Sequence, residues 1–271
     1  MGKSGTDVAR EAADLVLLDD QFATIVAGIE QGRATCVNIR RFLTYHLTDN
    51  VAELTPFVVW MLSGGRFPLA LGVLQILALD IGTDTLSAVA LGAEPPSAHL
   101  LDGPPVHGKL MSRRVVRRAF FVLGPTVALA TMAAFVVAMM AQGWGLHTPW
   151  PDSAGIAAAS GAAFITVVLA QSANAFACRS STRWPGSLGW ATNRMLPVTV
   201  SIELAFALTV LLVPWFAGGL DQAAPPLWGW VVAVASMPLL LTVDALEKVS
   251  RRRRTGAGNG GVRQGGGDPG R

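Results

Sequence analysis

Apolar residues along the chain are gathered into long blocks that are separated by short polar segments. Six of these blocks are about 20 residues long, the length that a helix needs to cross a bilayer at a rise of about 1.5 Å per residue. They predict membrane spans at about 43–62, 70–92, 117–141, 154–178, 196–217 and 227–246. An even number of spans returns the C-terminus to the side on which the chain starts.

The distribution of Lys and Arg predicts which side that is. Of the 21 Lys and Arg residues, 20 precede the first span, follow the last one, or lie at the second-to-third and fourth-to-fifth connections; the exception is Arg66. Short cytoplasmic loops carry an excess of these residues. We therefore expect a multi-pass protein of the plasma membrane with both termini in the cytoplasm. The lipid bilayer is its expected partner, and the net charge of +3 indicates no nucleic acid.

Composition agrees with this topology, because 51% of the residues are apolar and only 14% are charged. The two cysteines, Cys36 and Cys178, predict neither a disulfide framework nor a metal site. The first 20 residues are too polar for a signal peptide. Gly2-Lys3-Ser4 and the glycine-rich stretch 256–261 lack the strand that a nucleotide-binding loop requires. We predict no catalytic and no nucleotide-binding residues.

The segments outside the membrane are small. Residues 1–20 predict a short helix followed by a buried strand, Leu15-Val16-Leu17-Leu18, as the remnant of a larger α/β domain. The helical pattern of 21–42 continues into the first span, which predicts a cytosolic stalk on a helix roughly 60 Å long. Such a helix can carry movement to the membrane; the alternative is a long juxtamembrane helix without a coupling role. The basic, Gly-rich tail 250–271 is expected to be disordered.

Ionisable residues are rare within the predicted spans; the exceptions in mid-span are Glu53, Asp80, Asp84 and Glu203. Each costs at least about 2.5 kcal/mol at the bilayer centre unless it meets a partner, an ion or water. Asp80, Thr83 and Asp84 share one helix face by their spacing of three and four residues, and Asn50 and Glu53 share a face of the first span. The connection between these two spans is short, so they are antiparallel neighbours. We expect the two sets of oxygen atoms to converge on one site.

The expected ligands are all hard oxygen atoms, which suit sodium, potassium, calcium, magnesium or a proton as the transported cation. Gln171 and Asn174, three residues apart in the fourth span, can add neutral oxygens; a hydrogen-bonded pair between helices is an equal alternative. Pro56 and Gly82 weaken the two helices beside the carboxylates and can free backbone carbonyls. Asp49 is expected at the wetter end of the first span.

Several stretches of the chain resemble type II cation-transporting P-type ATPases. These are Met1–Asp20, which is similar to the end of the phosphorylation domain, and Asn38–Phe42, Asn50–Phe57, Asp80–Asp84 and Ala90–Pro96. The resemblance covers the chain to about residue 249. It implies an all-α membrane protein: a six-helix transmembrane bundle, the last six helices of a ten-helix pump, with the long stalk helix and a small N-terminal α/β remnant. It also implies a C-terminal transmembrane domain at 21–249.

The resemblance implies cation ligands as well. They are Asn50, Glu53, Asp80, Thr83 and Asp84, with Gln171 and Asn174 in a secondary ligand segment. The phosphorylated aspartate motif, the nucleotide domain, the actuator loop and the first four helices of the family are absent from this sequence. We therefore expect that this chain alone neither hydrolyses ATP nor pumps, that ATP and magnesium act only in a complete pump, and that the missing N-terminal half is its partner. The alternative is a membrane protein without enzyme activity, which binds cations or assists assembly as a fragment or relic.

Overall fold

The computed structural model of the chain describes residues 6–19, 21–97, 100–102, 109–145, 147–189 and 192–260. Its helices are α1 (Asp7–Glu11), α2 (Phe22–Leu62), α3 (Val73–Leu79), α4 (Thr85–Gly92), α5 (Arg113–Arg118), α6 (Gly124–Ala141), α7 (Ser153–Cys178), α8 (Met195–Leu212), α9 (Pro214–Gly219) and α10 (Leu227–Gly260). A π-helical turn, Asp80–Asp84, joins α3 to α4, and a second one, Ala119–Leu123, joins α5 to α6. A short 3-10 helix covers Pro185–Leu188.

Five stretches within the described residues are helical, long and apolar enough to cross a membrane: Val73–Gly92, Arg113–Ala141, Ser153–Cys178, Met195–Leu212 and Leu227–Arg253. The prediction of an all-α, multi-pass membrane protein is confirmed. The sixth predicted span, 43–62, lies in the second half of α2 and is not among the five, because polar and acidic residues interrupt it. Helix α2 packs against α4, α6 and α7, and in its second half Glu53 accepts a hydrogen bond from Gln171 of α7, so this half belongs to the same bundle.

The N-terminal segment differs from the prediction. The short helix forms as α1, with Thr6 as its N-cap, but the predicted strand is wrong. Leu15 and Leu18 are 54% and 79% exposed, and the described residues after α1, 12–19, contain no strand beyond a single bridge residue, Leu17. A strand needs a second strand beside it to pair with its backbone groups and to cover its apolar side chains. No second strand is available in the described part of the chain.

Two helix ends also differ from the predicted spans. The fifth span ends at Leu212 instead of 217, because Pro214 disfavours a helical residue before it and Val213 is extended. The last helix continues to Gly260, through the start of the segment expected to be disordered, since the arginines of 251–254 are good helix formers. The rest of the predicted tail, 261–271, lies outside the described residues.

The long helix α2 has 41 residues, which gives it a length of about 60 Å, twice the thickness of the hydrocarbon core. Its start is fixed by Asp19, which accepts hydrogen bonds from Thr24 Oγ1 (2.5 Å) and the Gln21 amide (3.1 Å); these bonds lower the pKa of Asp19. At the base of the stalk, Asn38 donates to the Gly92 and Glu94 carbonyls at 3.0 and 2.7 Å. The stalk is therefore attached directly to the end of α4.

A buried ion pair reinforces the bundle on the side of this attachment. Arg179, only 1% exposed after the end of α7, donates to Glu94 at 2.8 Å and to Thr192 Oγ1 at 2.5 Å. Asn193 donates to the same Glu94 carboxylate at 2.7 Å. Glu94 thus connects the end of α4 to the segment between α7 and α8.

Helix α7 lies at the centre of the bundle, in contact with α2, α6, α8 and α10. Small residues permit this close packing, and Ala159, Ala162 and Ala163 are fully buried. At Gly161 a Cβ atom would lie 2.0 Å from the Ala223 carbonyl oxygen. The segment before α10 therefore touches the backbone of α7 where only glycine fits.

We predict that Gly161→Ala lowers the free energy of unfolding by about 1–3 kcal/mol, because the added methyl group forces two backbone segments apart. The matched control is Gly32→Ala on the exposed stalk, where a Cβ atom meets nothing within 4 Å. This control should raise stability by up to about 1 kcal/mol through helix propensity. Detergent-induced unfolding followed by circular dichroism measures both. Equal effects of the two substitutions would contradict the close packing of α7.

Candidate cation-binding site

The first wall of the candidate site is the membrane half of α2. Glu53 lies on its inner face and is 2% exposed. Pro56 follows within the same helix, which continues to Leu62. Because proline has no backbone N–H, the Ala52 carbonyl lacks its usual helical donor. An acceptor oxygen is thus left beside the Glu53 carboxylate.

The second wall is the π-helical turn Asp80–Asp84 between α3 and α4. Thr83 Oγ1 donates to the Leu79 carbonyl at 2.7 Å, and Thr85 Oγ1 donates to the Asp80 carbonyl at 2.9 Å. π-helical turns are rare in proteins, and those that occur often lie at functional sites. Gly82 lets α8 approach this turn, because a Cβ atom there would lie 2.1 Å from the Phe206 ring. The sequence predicts a weakened helix at Gly82, and in the structure Gly82 lies within this π-helical turn.

The two walls bring three carboxyl groups together. One oxygen atom from each of Glu53, Asp80 and Asp84 lies within 4.8 Å of the others. Glu53 and Asp84 are each 2% exposed, and Asp80 is half-buried. Carboxylates this close repel one another when all are ionised, and burial adds the cost of lost hydration. A hard cation or protons between them would remove this repulsion.

Other predicted residues surround these carboxylates. Gln171 Nε2 donates to Glu53 Oε1 at 2.9 Å, and Thr83 Oγ1 lies 3.3 Å from Asp84 Oδ1. Among the described residues, Gln171 Oε1 and Asp84 Oδ2 are buried without a hydrogen-bond partner. Buried polar atoms normally have a partner. These two oxygen atoms are therefore available to a ligand.

A groove of about 580 Å³ leads to the carboxylates. Asn50, Asp80 and Asp84 line one part of it, and Asn38 and Gly92 at the base of the stalk line another. Asn50 therefore lies in the approach to the carboxylates. The groove provides a path between the stalk end of the bundle and the carboxylates.

Asn174, which the sequence predicts as a ligand, is hydrogen-bonded to other groups than the three carboxylates. Its Nδ2 atom donates to Asp49 Oδ1 at 3.1 Å and to the Tyr45 carbonyl at 3.4 Å. Asp49 is fully buried, so its expected position at the wetter end of the helix is wrong. The sequence does contain a sign that Asp49 is buried: it precedes Glu53 by four residues and therefore shares its helix face.

Glu203 on α8 has a different role from the carboxylates of the site. Its two oxygen atoms accept hydrogen bonds from the Ser87 amide (2.7 Å) and Ser87 Oγ (2.8 Å). Glu203 therefore connects α8 to α4. The sequence reasoning missed Ser87, because a serine in an apolar helix does not indicate a partner 116 residues away.

Comparison with known proteins identifies the family. The model of the family described as "Cation transporting ATPase, C-terminus" matches residues 68–250. The chain belongs to this family of cation-transporting ATPases. The family match begins before α3 and ends within α10, so it contains Asp80 and Asp84, while α2 with Glu53 precedes it. The resemblance drawn from the sequence is confirmed.

Curated relatives of this ATPase domain are sodium/potassium-transporting ATPase alpha subunits. The Drosophila melanogaster subunit is 30% identical over 94% of this chain, and the alpha-4 subunit of Rattus norvegicus is 28% identical over 94%. The Hydra vulgaris subunit is 35% identical over 56% of the chain. The chain covers 27% of the length of the first two relatives and 15% of the third. It is thus similar to the C-terminal part of much longer pumps.

We predict that Asn174→Ala lowers the free energy of unfolding by about 1–3 kcal/mol, because it removes a donor from the buried Asp49 carboxyl. The same substitution in an Asp49→Ala background should cost less, with an interaction energy of at least about 0.5 kcal/mol. Unfolding of the four proteins in mixed detergent micelles measures this cycle. Additive effects of the two substitutions would show that the two side chains do not depend on each other.

Proposed function

We propose that this chain is the membrane-embedded, cation-carrying part of an ATP-driven pump. The observation that carries the proposal is the convergence of Glu53, Asp80 and Asp84 from two helices, with one oxygen atom each within 4.8 Å. Carboxyl groups are costly inside a membrane, and such residues in membrane proteins mark ion pathways. The family supports transport of a cation, and the carboxylates supply a place for it.

The proposed ligands are those that the sequence indicates: Asn50, Glu53, Asp80, Thr83, Asp84, Gln171 and Asn174. Glu53 and Asp84 bind the ion most directly, because both are buried and Asp84 Oδ2 has no partner among the described residues. Gln171 orients Glu53 and presents its own free oxygen. Asn174 extends the ligand set toward Asp49.

The cation in this proposal is a hard one. Sodium and potassium, the ions in the names of the relatives, are the first candidates, and calcium, magnesium and protons fit the same oxygen chemistry. No Cys or His joins Glu53, Asp80 and Asp84 in the cluster found among the described residues. Soft metals such as copper are therefore disfavoured.

The energy source lies outside this chain in our proposal. The relatives are about four times as long, since the chain covers 27% of the first two, and their remaining part supplies ATP hydrolysis with magnesium. Asp80 is only half-buried where it lines the groove, so a helix of that part can complete the site. The stalk half of α2 transmits the movement. Both termini face the cytoplasm at the plasma membrane, in agreement with the distribution of Lys and Arg.

We predict that Asp84→Asn weakens cation binding at least about tenfold, because one charged ligand is lost. The control is Asp221→Asn in the exposed segment between α9 and α10, where the positive φ of 50° suits asparagine. Equilibrium binding of sodium, potassium, calcium and magnesium to the purified chain in lipid nanodiscs measures both variants. Unchanged affinity of Asp84→Asn for every ion that the native chain binds would refute the site.

The same purified chain distinguishes the two proposals, part of an ATP-driven pump or a membrane protein without enzyme activity. We expect no ATP hydrolysis by the purified chain alone, and cation-stimulated hydrolysis after co-expression with the N-terminal half of the pump. Hydrolysis by the chain alone would contradict this division of labour. Cation binding that persists while every combination of the two parts lacks hydrolysis would favour the alternative, a cation-binding membrane protein without transport.

A further inference from the structure

A second cavity, of about 820 Å³, lies away from the three carboxylates, at the base of the stalk. It is bounded by α2, by the start of α5, by the segment after α7 and by α10. Eight of its lining residues are Lys or Arg, and none is Asp or Glu. We call this space the basic cavity.

Much of the positive charge in the basic cavity is not balanced by acidic residues. Arg118 forms an ion pair with Asp244 at 2.5 Å, and Arg251 forms one with Glu247. In the part of the chain that the structure describes, Lys109, Arg113, Arg114 and Arg183 form no ion pair. Like charges on several elements therefore face one space, which costs free energy unless an anion enters.

Burial increases this cost for one member of the cavity. Arg41 is half-buried and donates to a neutral acceptor, Asn38 Oδ1, at 2.6 Å. Burial lowers the pKa of Arg41 below its ordinary value; Glu94 offsets this effect only in part, and the positive charge of Arg179 adds to it. The charged form of Arg41 is thus penalised.

The polar lining of the cavity suits phosphate groups. Arginine side chains bind phosphate oxygens with two parallel hydrogen bonds. Hydroxyl groups of Ser112, Ser180 and Ser181 add donors between the cations. The volume of about 820 Å³ exceeds the space that one simple anion occupies. The cavity therefore has room for an anion with several phosphate groups.

The position of the cavity favours a lipid as the molecule that carries these phosphate groups. It adjoins Arg113 and Cys178, which are the ends of two membrane-spanning stretches, so it lies at the level of lipid headgroups. We propose that the basic cavity binds the headgroup of an anionic membrane lipid that carries clustered phosphate groups. The bound headgroup links the base of the stalk to α5 and to the segment after α7. This site is independent of the cation ligands.

The test compares two pairs of substitutions that remove the same charge. Arg114→Gln with Arg183→Gln changes two exposed residues that line the cavity, and Arg10→Gln with Arg253→Gln changes two exposed residues outside it. All four positions lie on the side that we assign to the cytoplasm. Fluorescent phosphatidylinositol 4,5-bisphosphate is titrated into the full chain in neutral detergent micelles.

We expect the cavity pair to weaken lipid binding roughly thirtyfold, because each Lys or Arg near anionic lipid contributes strongly to the attraction. The control pair should leave the affinity within about threefold, since its cations lie outside the cavity. Equal weakening by both pairs, or no weakening by the cavity pair, would overturn the proposal. If the cavity pair does not fold by circular dichroism, Lys109→Gln with Arg113→Gln takes its place under the same criteria.

A soluble competitor distinguishes the lipid from a free phosphate compound. Inositol 1,4,5-trisphosphate carries the same headgroup without the acyl chains. We expect it to displace the lipid, but with lower affinity, because the membrane adds contacts and local concentration. Tighter binding of the soluble compound than of the lipid would overturn the lipid assignment. Failure of the soluble compound to compete at any concentration would contradict recognition of phosphate groups.

Discussion

Burial of acidic side chains between apolar helices is the constraint on which this structure depends. Glu53 and Asp84 are each only 2% exposed and lie next to Asp80. A carboxylate at the centre of a membrane costs several kcal/mol unless it finds compensation. Regular helices would satisfy their own backbone atoms and offer none to a ligand. Pro56 in α2 and the π-helical turn after α3 break that regularity beside the carboxylates of the candidate site.

The rest of the bundle holds these two irregular walls in place. The central helix α7 contributes Gln171 to Glu53, and its small residues let the neighbouring helices approach. Glu203 fixes α8 to α4 through Ser87. On the stalk side, Asn38 attaches α2 to the end of α4, and the pair of Glu94 and Arg179 attaches that end to the segment after α7. The stalk is therefore hydrogen-bonded directly to the end of α4, the helix that follows Asp84.

The sequence predicts the features that depend on helical period and short connections. The pairing of Glu53 with Asp80 and Asp84 follows from the spacing within two adjacent helices, and the apolar blocks predict the spans. Features that need distant partners are not predictable in this way: the bonds of Ser87 to Glu203, and the basic cavity, join residues from separate helices. At Leu15–Leu18 the sequence predicts a strand that does not form. A local apolar pattern indicates a strand only where another strand is present to pair with it.

The location of a bound cation tests the central claim most directly. Crystals of the protein grown with rubidium or with manganese, as substitutes for potassium and for a divalent ion, would show the ion by its anomalous scattering. Our account predicts an anomalous peak within coordination distance of both Glu53 and Asp84, on the side of the π-helical turn. A well-ordered structure in which neither ion lies between these residues, and in which the two carboxylates point apart, would contradict it.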